Sequence, residues 1–195
     1  MKNIRIRTER LCIREYETKD LPVHHELISD PSAMIYMQDV FSASFEESKE
    51  NLLFAIREGE KERREKFFLV IADGKNGIYM GGIGYEVLSR CPLGAQVEIG
   101  YFLSPKYRGR GYVSESLRAL MEFAFTKGGV YRINGTCITD NIASARVMEA
   151  CGMIREGERV GIQWHIDSLR SRYLYRLLKD EWLLLPNRKD GKIRV

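Results

Sequence analysis

The stretch Glu98-Ile99-Gly100-Tyr101-Phe102-Leu103-Ser104-Pro105-Lys106-Tyr107-Arg108-Gly109-Arg110-Gly111-Tyr112-Val113-Ser114-Glu115 decides how the rest of the chain is read. Around its first half Val97, Ile99, Tyr101 and Leu103 alternate with Gln96, Glu98, Gly100 and Phe102. That period of two is a β-strand with one buried face, and Pro105 ends it. Past the loop Val113, Leu117, Leu120, Met121, Ala124 and Phe125 recur at helical spacing, so residues 112–127 read as an amphipathic helix. The joint between the two alternates arginine with glycine. At a helix start several amides lack an intrahelical acceptor, and the helix dipole leaves partial positive charge there. Gly109 and Gly111 keep side chains out of a ligand's way, while Arg108 and Arg110 add charge. A phosphate or diphosphate has a seat in such a joint, and a tight strand-to-helix turn without a ligand is the plainer alternative.

Downstream, residues 132–138 return as a strand and 141–150 as a short helix closed by Gly152. Residues 153–160 and 171–178 make a final strand pair. Upstream lies a meander of 67–72, 78–88 and 96–103, turned by Asp73-Gly74-Lys75-Asn76-Gly77 and by Cys91-Pro92-Leu93-Gly94. Gly81-Gly82-Ile83-Gly84, inside that meander, reads as a bulge or a point of close packing. A first strand over 11–16 and a helix over 21–28, capped by Thr18 or Asp20 and broken at Asp30-Pro31, precede it. Then come a loop of large side chains (Met34, Tyr36, Met37, Val40, Phe41) and a long helix from Ser44, with Glu46 and Glu47 in its first turn. It dissolves in the charged run 57–66. Strands and helices mix without strict alternation, which predicts an α+β protein, a mixed sheet covered by helices.

At 195 residues, one domain is the expectation. Hydrophobic residues make up 44% of the chain, enough for a real core, which excludes a disordered chain. The net charge of +4 permits an anionic ligand without demanding nucleic acid. Cys12, Cys91, Cys137 and Cys151 lie 79, 46 and 14 residues apart, without metal-knuckle or redox spacing, so buried free thiols in a reducing cytoplasm are expected. No apolar run is long enough to span a membrane or to serve as a secretory signal, and no repeat is present. His24-His25 offers adjacent helical residues about 100° apart, with no third ligand near, and reads as a solvated helix rather than a metal site. The run 57–66 and the basic stretch 188–194 read as solvated surface.

The loop resembles the R/Q-x-x-G-x-G/A turn with which GNAT-superfamily N-acetyltransferases hold the pyrophosphate of acetyl-CoA. Thr8-Glu9-Arg10-Leu11, Glu98-Ile99-Gly100-Tyr101, Asp140-Asn141-Ile142-Ala143-Ser144 and Cys151-Gly152-Met153 extend the match in family order over roughly residues 8–182, and the pattern is similar to the branch of ribosomal-protein N-terminal acetyltransferases. The resemblance implies a single-domain fold over residues 1–182, with a basic tail over 183–195. It also implies a mixed sheet of about six to seven strands flanked by about four helices. It implies acetyl-CoA as co-substrate and no metal. Backbone groups of Tyr101 and Leu103 would bond the pantetheine arm, and the amides of Arg108, Gly109, Arg110, Gly111, Tyr112, Val113 and Ser114 would wrap the diphosphate. Asn141 and Arg146 would face the cofactor from the next helix.

Acetyl transfer to an amine needs a proton acceptor for the amine and a proton for the departing thiolate. Glu98, on the strand leading into the loop, is the candidate base, against a plain solvated carboxylate. Some members of the superfamily carry the base five residues before the Asn, where this chain has Thr136, a departure that shifts weight onto Glu98 or onto water-mediated proton loss. The usual thiolate-protonating Tyr, seven residues after the Asn, is Met148 here, so Ser144 becomes the candidate donor, against a hydroxyl bonded to its own helix. Val113 replaces the usual Gly or Ala of the loop. Tyr36, Met37 and Phe41 occupy the loop that lines the acceptor channel in this family, against ordinary packing, and Trp164, His165 and Asp167 lie between the last strands, at the turn where the family again contacts the acceptor. The acceptor that the resemblance implies is a primary amine: a protein N-terminus first, with a polyamine, an amino sugar or an aminoglycoside as alternatives. The other readings are a non-catalytic acyl-CoA-binding module and a basic RNA-binding domain. Neither membrane nor specific nucleic acid is expected as a partner, and the chain is expected as a monomer or homodimer in the cytoplasm.

Overall fold

The computed structural model describes residues 3–186; the basic stretch 188–194 lies outside them. Those residues form two compact units. One takes the described residues up to Glu86 together with Gly100–Leu120, and the other takes Val87–Ile99 and the described residues from Met121 onward.

The first unit opens with β1 (Arg5–Arg7) and β2 (Leu11–Arg14), paired antiparallel. Strand β1 was not foreseen. Its Arg-Ile-Arg alternation is short, yet Ile6 is fully buried, as is Ile4 nearby. A single 3-10 turn over Thr18–Asp20 leads into α1 (Leu21–Ile28). Asp20 does not cap it through its side chain. The carboxylate turns instead to the buried Arg14, accepting from both guanidinium ends at 2.7 and 2.8 Å, because a buried charge is costly unless paired. His24 is not solvated. It is buried, with Nδ1 3.0 Å from the Tyr79 hydroxyl and Nε2 3.0 Å from Asn51 Oδ1, and burial holds its imidazole below the ordinary value.

Ser44 caps α2 (Phe45–Glu60), accepting from the Glu47 amide at 3.2 Å while Glu47 bonds back to Ser44 N at 3.2 Å. This reciprocal box is worth about 1 kcal/mol. The charged run after it is only partly surface: Arg64 is buried and holds Glu15, and Glu58 is buried beside Lys61. Antiparallel strands β3 (Lys66–Asp73) and β4 (Tyr79–Cys91) continue the sheet in the order β1-β2-β3-β4-β5, where β5 spans Gly94–Leu103. The Gly81 region is a close approach. A Cβ there would sit 2.2 Å from the Phe102 carbonyl oxygen, so β4 and β5 meet backbone to backbone. Met34, Leu52, Val70 and Tyr79 centre the core of this unit, with Met37, Val40 and Phe41 packed against it.

The second unit begins with the far end of β4 and the start of β5, joined at Pro92-Leu93. Its strand order continues β5-β6-β8-β7, with β6 (Val130–Ile138) parallel to β5, and β8 (Ser168–Leu178) antiparallel to both β6 and β7 (Ile154–His165). Helix α3 (Tyr112–Thr126) has Leu117, Leu120, Met121 and Phe125 buried, as its apolar spacing predicts. Helix α4 (Ile142–Ala150) follows β6. Helix α5 (Lys179–Leu183), also unforeseen, buries Trp182 against Phe125 at 5.2 Å between ring centroids. The fold is α+β with a mixed sheet, as expected, but with eight strands and five α-helices among the described residues; β1 and α5 make the difference. All four cysteines are free thiols, and Cys91 is exposed rather than buried.

Candidate active site

In the first unit β5 ends at Leu103, and the Ser104 amide donates to the Met80 carbonyl at 2.9 Å. A 3-10 turn over Pro105–Tyr107 follows. Arg108 then folds back on the main chain, its Nε donating to Leu103 O at 3.2 Å and its Nη2 to Ala33 O at 3.0 Å. The guanidinium serves to anchor the loop, and it occupies the Leu103 carbonyl. Gly109 and Gly111 both adopt positive φ, 74° and 75°, a region that side chains rarely enter. A Cβ on Gly109 would touch nothing within 4 Å, and one on Gly111 only Arg10 Nη2 at 3.6 Å. The loop is therefore open on its outer side. Helix α3 makes a first bond from Glu115 N to Gly111 O at 3.0 Å, so the helix offers no acceptor to the amides of Tyr112 and Val113 ahead of it. An open glycine loop running into such amides fits a coenzyme's diphosphate.

A second device braces this loop, and the sequence reading assigned it no role. Glu115 accepts from the Thr8 hydroxyl, from the Arg10 amide at 3.0 Å and from Arg10 Nε at 2.6 Å. Arg10 also donates Nη1 to Arg110 O at 3.0 Å and lies 4.6 Å over the Tyr112 ring. Partial burial opposes ionisation of Glu115. The Thr8 and Arg10 hydrogen bonds outweigh it and hold the carboxyl below its ordinary value. Thr8 and Arg10 stand in the Thr8-Glu9-Arg10-Leu11 motif, but what they grip is 105 residues away in the case of Arg10, beyond any local pattern.

In the second unit Val97 and Ile99 are buried while Glu98 is half-buried on the opposite face of β5, as the alternation predicts. Glu98 stands in register with Asn134 of β6. The Thr136 hydroxyl donates to Glu98 Oε1 at 2.9 Å. Arg172 of β8 donates Nη2 to the Thr136 hydroxyl and Nη1 to Gln163 Oε1 at 2.8 Å. On the same face Arg132 donates to Asn134 Oδ1 at 2.8 Å and to Glu156 at 2.6 Å, and Arg176 pairs with Glu156 and Glu181. Beyond β6, Asn141 caps α4, its Oδ1 accepting from Ser144 N at 3.1 Å. Burial pushes the Cys137 thiol up, opposed by the Arg172 charge and by a hydrogen bond with Ser144. Among the described residues no cluster of His, Cys, Asp and Glu could hold a metal ion.

The acetyltransferase (GNAT) domain family matches residues 10–154 of this chain. The chain belongs to that family. It is 32% identical over 183 residues to the uncharacterized N-acetyltransferase YnaD of Bacillus subtilis (strain 168), a match covering 91% of this chain and 98% of that protein. Two solved structures share the fold. The ribosomal-protein-S5-alanine acetyltransferase of Vibrio fischeri is 20% identical, with a TM-score of 0.77 over 92% of this chain and 99% of its own. The spermidine N-acetyltransferase of Vibrio cholerae, in complex with CoA and spermine, is 19% identical, with a TM-score of 0.77 over 90% of this chain and 99% of its own. The chain is an acetyl-CoA-dependent acetyltransferase.

The remaining candidates of this GNAT enzyme are placed as follows. Tyr101 and Ser114 are half-buried, on β5 and in the first turn of α3. Arg110 is exposed, and Arg146 is exposed on α4. Tyr36 is exposed at the segment after α1, whereas Met37 packs onto the core beside it. Trp164 lies within β7, not in the turn, and is 67% exposed. No described helix is long and apolar enough to cross a membrane.

Proposed function

We propose that this acetyltransferase moves the acetyl group of acetyl-CoA directly to a primary amine in a ternary complex, with Glu98 as the base and a protein N-terminus as the favoured acceptor. Bound acetyl-CoA supplies a thioester whose C–S bond breaks as the C–N bond forms. Glu98 takes the amine proton, and the Ser144 hydroxyl donates toward the departing sulfur. Main-chain groups of Tyr101 and Leu103 receive the pantetheine arm, the amides from Gly109 to Ser114 receive the diphosphate, and Asn141 and Arg146 are the other proposed cofactor-binding residues. The observation that supports this most is the half-buried Glu98, held at one oxygen by Thr136, on the strand that runs three residues further to Tyr101.

The acceptor reading rests on charge. Strands β7 and β8 carry Arg155, Arg159, Arg170, Arg172 and Arg176 against Glu156 and Glu158, which suits a neutral or acidic peptide better than a polycation. Tyr36, Met37 and Trp164 are the proposed acceptor contacts. We place the catalytic domain at residues 1–182, working in the cytoplasm as a monomer or homodimer.

The test is thiol release from acetyl-CoA with an alanine-terminated peptide, spermidine and an aminoglycoside in parallel. Faster turnover of the peptide is the expected result. Turnover of spermidine alone overturns the acceptor choice, and a Glu98→Gln variant that retains the full rate overturns the assignment of Glu98.

A further inference from the structure

We infer that Arg172 is a positioning residue for the reaction: acting through the Thr136 hydroxyl, it fixes one oxygen of Glu98 as a hydrogen-bond acceptor and leaves the other to meet the amine. The inference rests on the reading of Glu98 as base.

The direction of the relay follows from donor inventory. A guanidinium only donates, so the Thr136 oxygen must accept from Arg172 Nη2. A threonine hydroxyl has one proton. With its oxygen engaged by Arg172, that proton points along the 2.9 Å contact to Glu98 Oε1. A hydroxyl that would otherwise rotate between donating and accepting is thereby set to donate, and the carboxylate is oriented with it. Oε2 remains as the proton acceptor.

Arg172 is itself held for this task. Its Nη1 donates to Gln163 Oε1 at 2.8 Å, and the pairing of β7 with β8 slips between Arg159 and Gln163. Such an irregularity re-aims a side chain that a regular ladder would place elsewhere. Neighbouring charges are spent on each other, Arg132 on Glu156, and Arg176 on Glu156 and Glu181, while Arg159 stands directly across from Arg172 in the β7–β8 pairing. Arg172 donates to two neutral side chains. The same residue explains why threonine stands at position 136, which cannot itself act as a base. The site needs a short hydroxyl that accepts from one strand and donates to another.

Two measurements test this. The carboxyl carbon of Glu98 is followed by NMR in protein carrying 13C at glutamate Cδ, the resonance being assigned by its disappearance in Glu98→Gln. Thr136→Val and Arg172→Gln should both move that resonance, and Thr136→Ser, which keeps the hydroxyl, should leave it at the parent position. With an alanine-terminated peptide the first two variants should lower kcat by about ten- to a hundred-fold at an unchanged KM for acetyl-CoA, and Thr136→Ser should restore it. A merely structural role for Arg172 gives no such rescue at position 136. A resonance unmoved in both Thr136→Val and Arg172→Gln overturns the inference, whatever acceptor the enzyme uses. A Glu98→Gln enzyme at full rate overturns the base role instead, a result read from turnover and distinct from the resonance.

Discussion

In the proposed site the glycine loop and the polar face of β5, β6 and β8 work by opposite means. In the loop the working atoms are main-chain amides, and the side chain with the most obvious charge, Arg108, is turned back on the carbonyls of Leu103 and Ala33. On the polar face the main chain is consumed by strand pairing, and the working atoms are side chains linked across strands, Arg172 to Thr136 to Glu98. A main-chain site is specified by what a residue must not have, a Cβ at Gly109 and Gly111. A side-chain site is specified by what each residue must have, at a register set elsewhere.

Substitution should expose that contrast most sharply at Glu98. Removing a general base costs about a hundred- to ten-thousand-fold. Glu98→Gln is expected to lose at least the lower figure in kcat while its calorimetric affinity for acetyl-CoA stays at the parent value. If affinity collapses together with kcat, the polar face is part of the cofactor grip and the separation of roles fails.

The loop should answer next, and in the other parameter. Valine at Gly111 must accept φ of 75°, a strain of about 1–3 kcal/mol, and places a branched side chain beside the helix start. Gly111→Val should therefore weaken acetyl-CoA binding by about ten-fold or more by calorimetry. An unchanged dissociation constant would mean that the amides of this loop do not hold the diphosphate.

The same contrast explains what could be read without coordinates. Gly109 and Gly111 sit next to the helix they open, so their spacing announces the loop, and the apolar stripe from Leu117 to Phe125 announces α3. The face on which Glu98 lies was legible because it alternates with Val97 and Ile99. Arg172 was not: it reaches Thr136 across 36 residues of sequence through antiparallel pairing and a slip in β7, and nothing local in Ser171-Arg172-Tyr173 signals it. His24 failed for a related reason. Two adjacent histidines suggest solvent or metal, whereas the partners that bury one of them, Tyr79 and Asn51, arrive from other elements. Strand β1 was missed because three residues are too short for a period to show.

Below both regions in expected effect stands the brace of Glu115 on Thr8 and Arg10. It is a side-chain device that serves a main-chain site. Its folded-state carboxyl titrates below the ordinary 4.5, so its stabilisation is complete above that value and is lost as pH falls through the depressed one. Glutamine at this position has no such dependence. The parent should melt above Glu115→Gln near neutrality, and the gap should close as pH drops below 4.5. A gap of constant size across that range would show that the charge contributes nothing. At neutral pH the variant should also bind acetyl-CoA about two- to five-fold more weakly, because the start of α3 is less firmly held.

The smallest effect should come from the residue that looks most functional in the sequence. Arg110 lies between the two loop glycines and is exposed, and the atom the fold uses is its carbonyl, which accepts from Arg10 Nη1. Alanine preserves that carbonyl and removes only a screened surface charge. Exposed charges contribute about 0–1 kcal/mol, so Arg110→Ala should cost no more than about five-fold in acetyl-CoA affinity at low salt. That difference should shrink toward nothing as ionic strength rises to about 1 M, where charges are screened over about 3 Å. Gly111→Val, whose defect is steric, should show no such recovery with salt. A large, salt-insensitive loss in Arg110→Ala would reverse the assignment, making the guanidinium rather than the backbone the grip on the diphosphate.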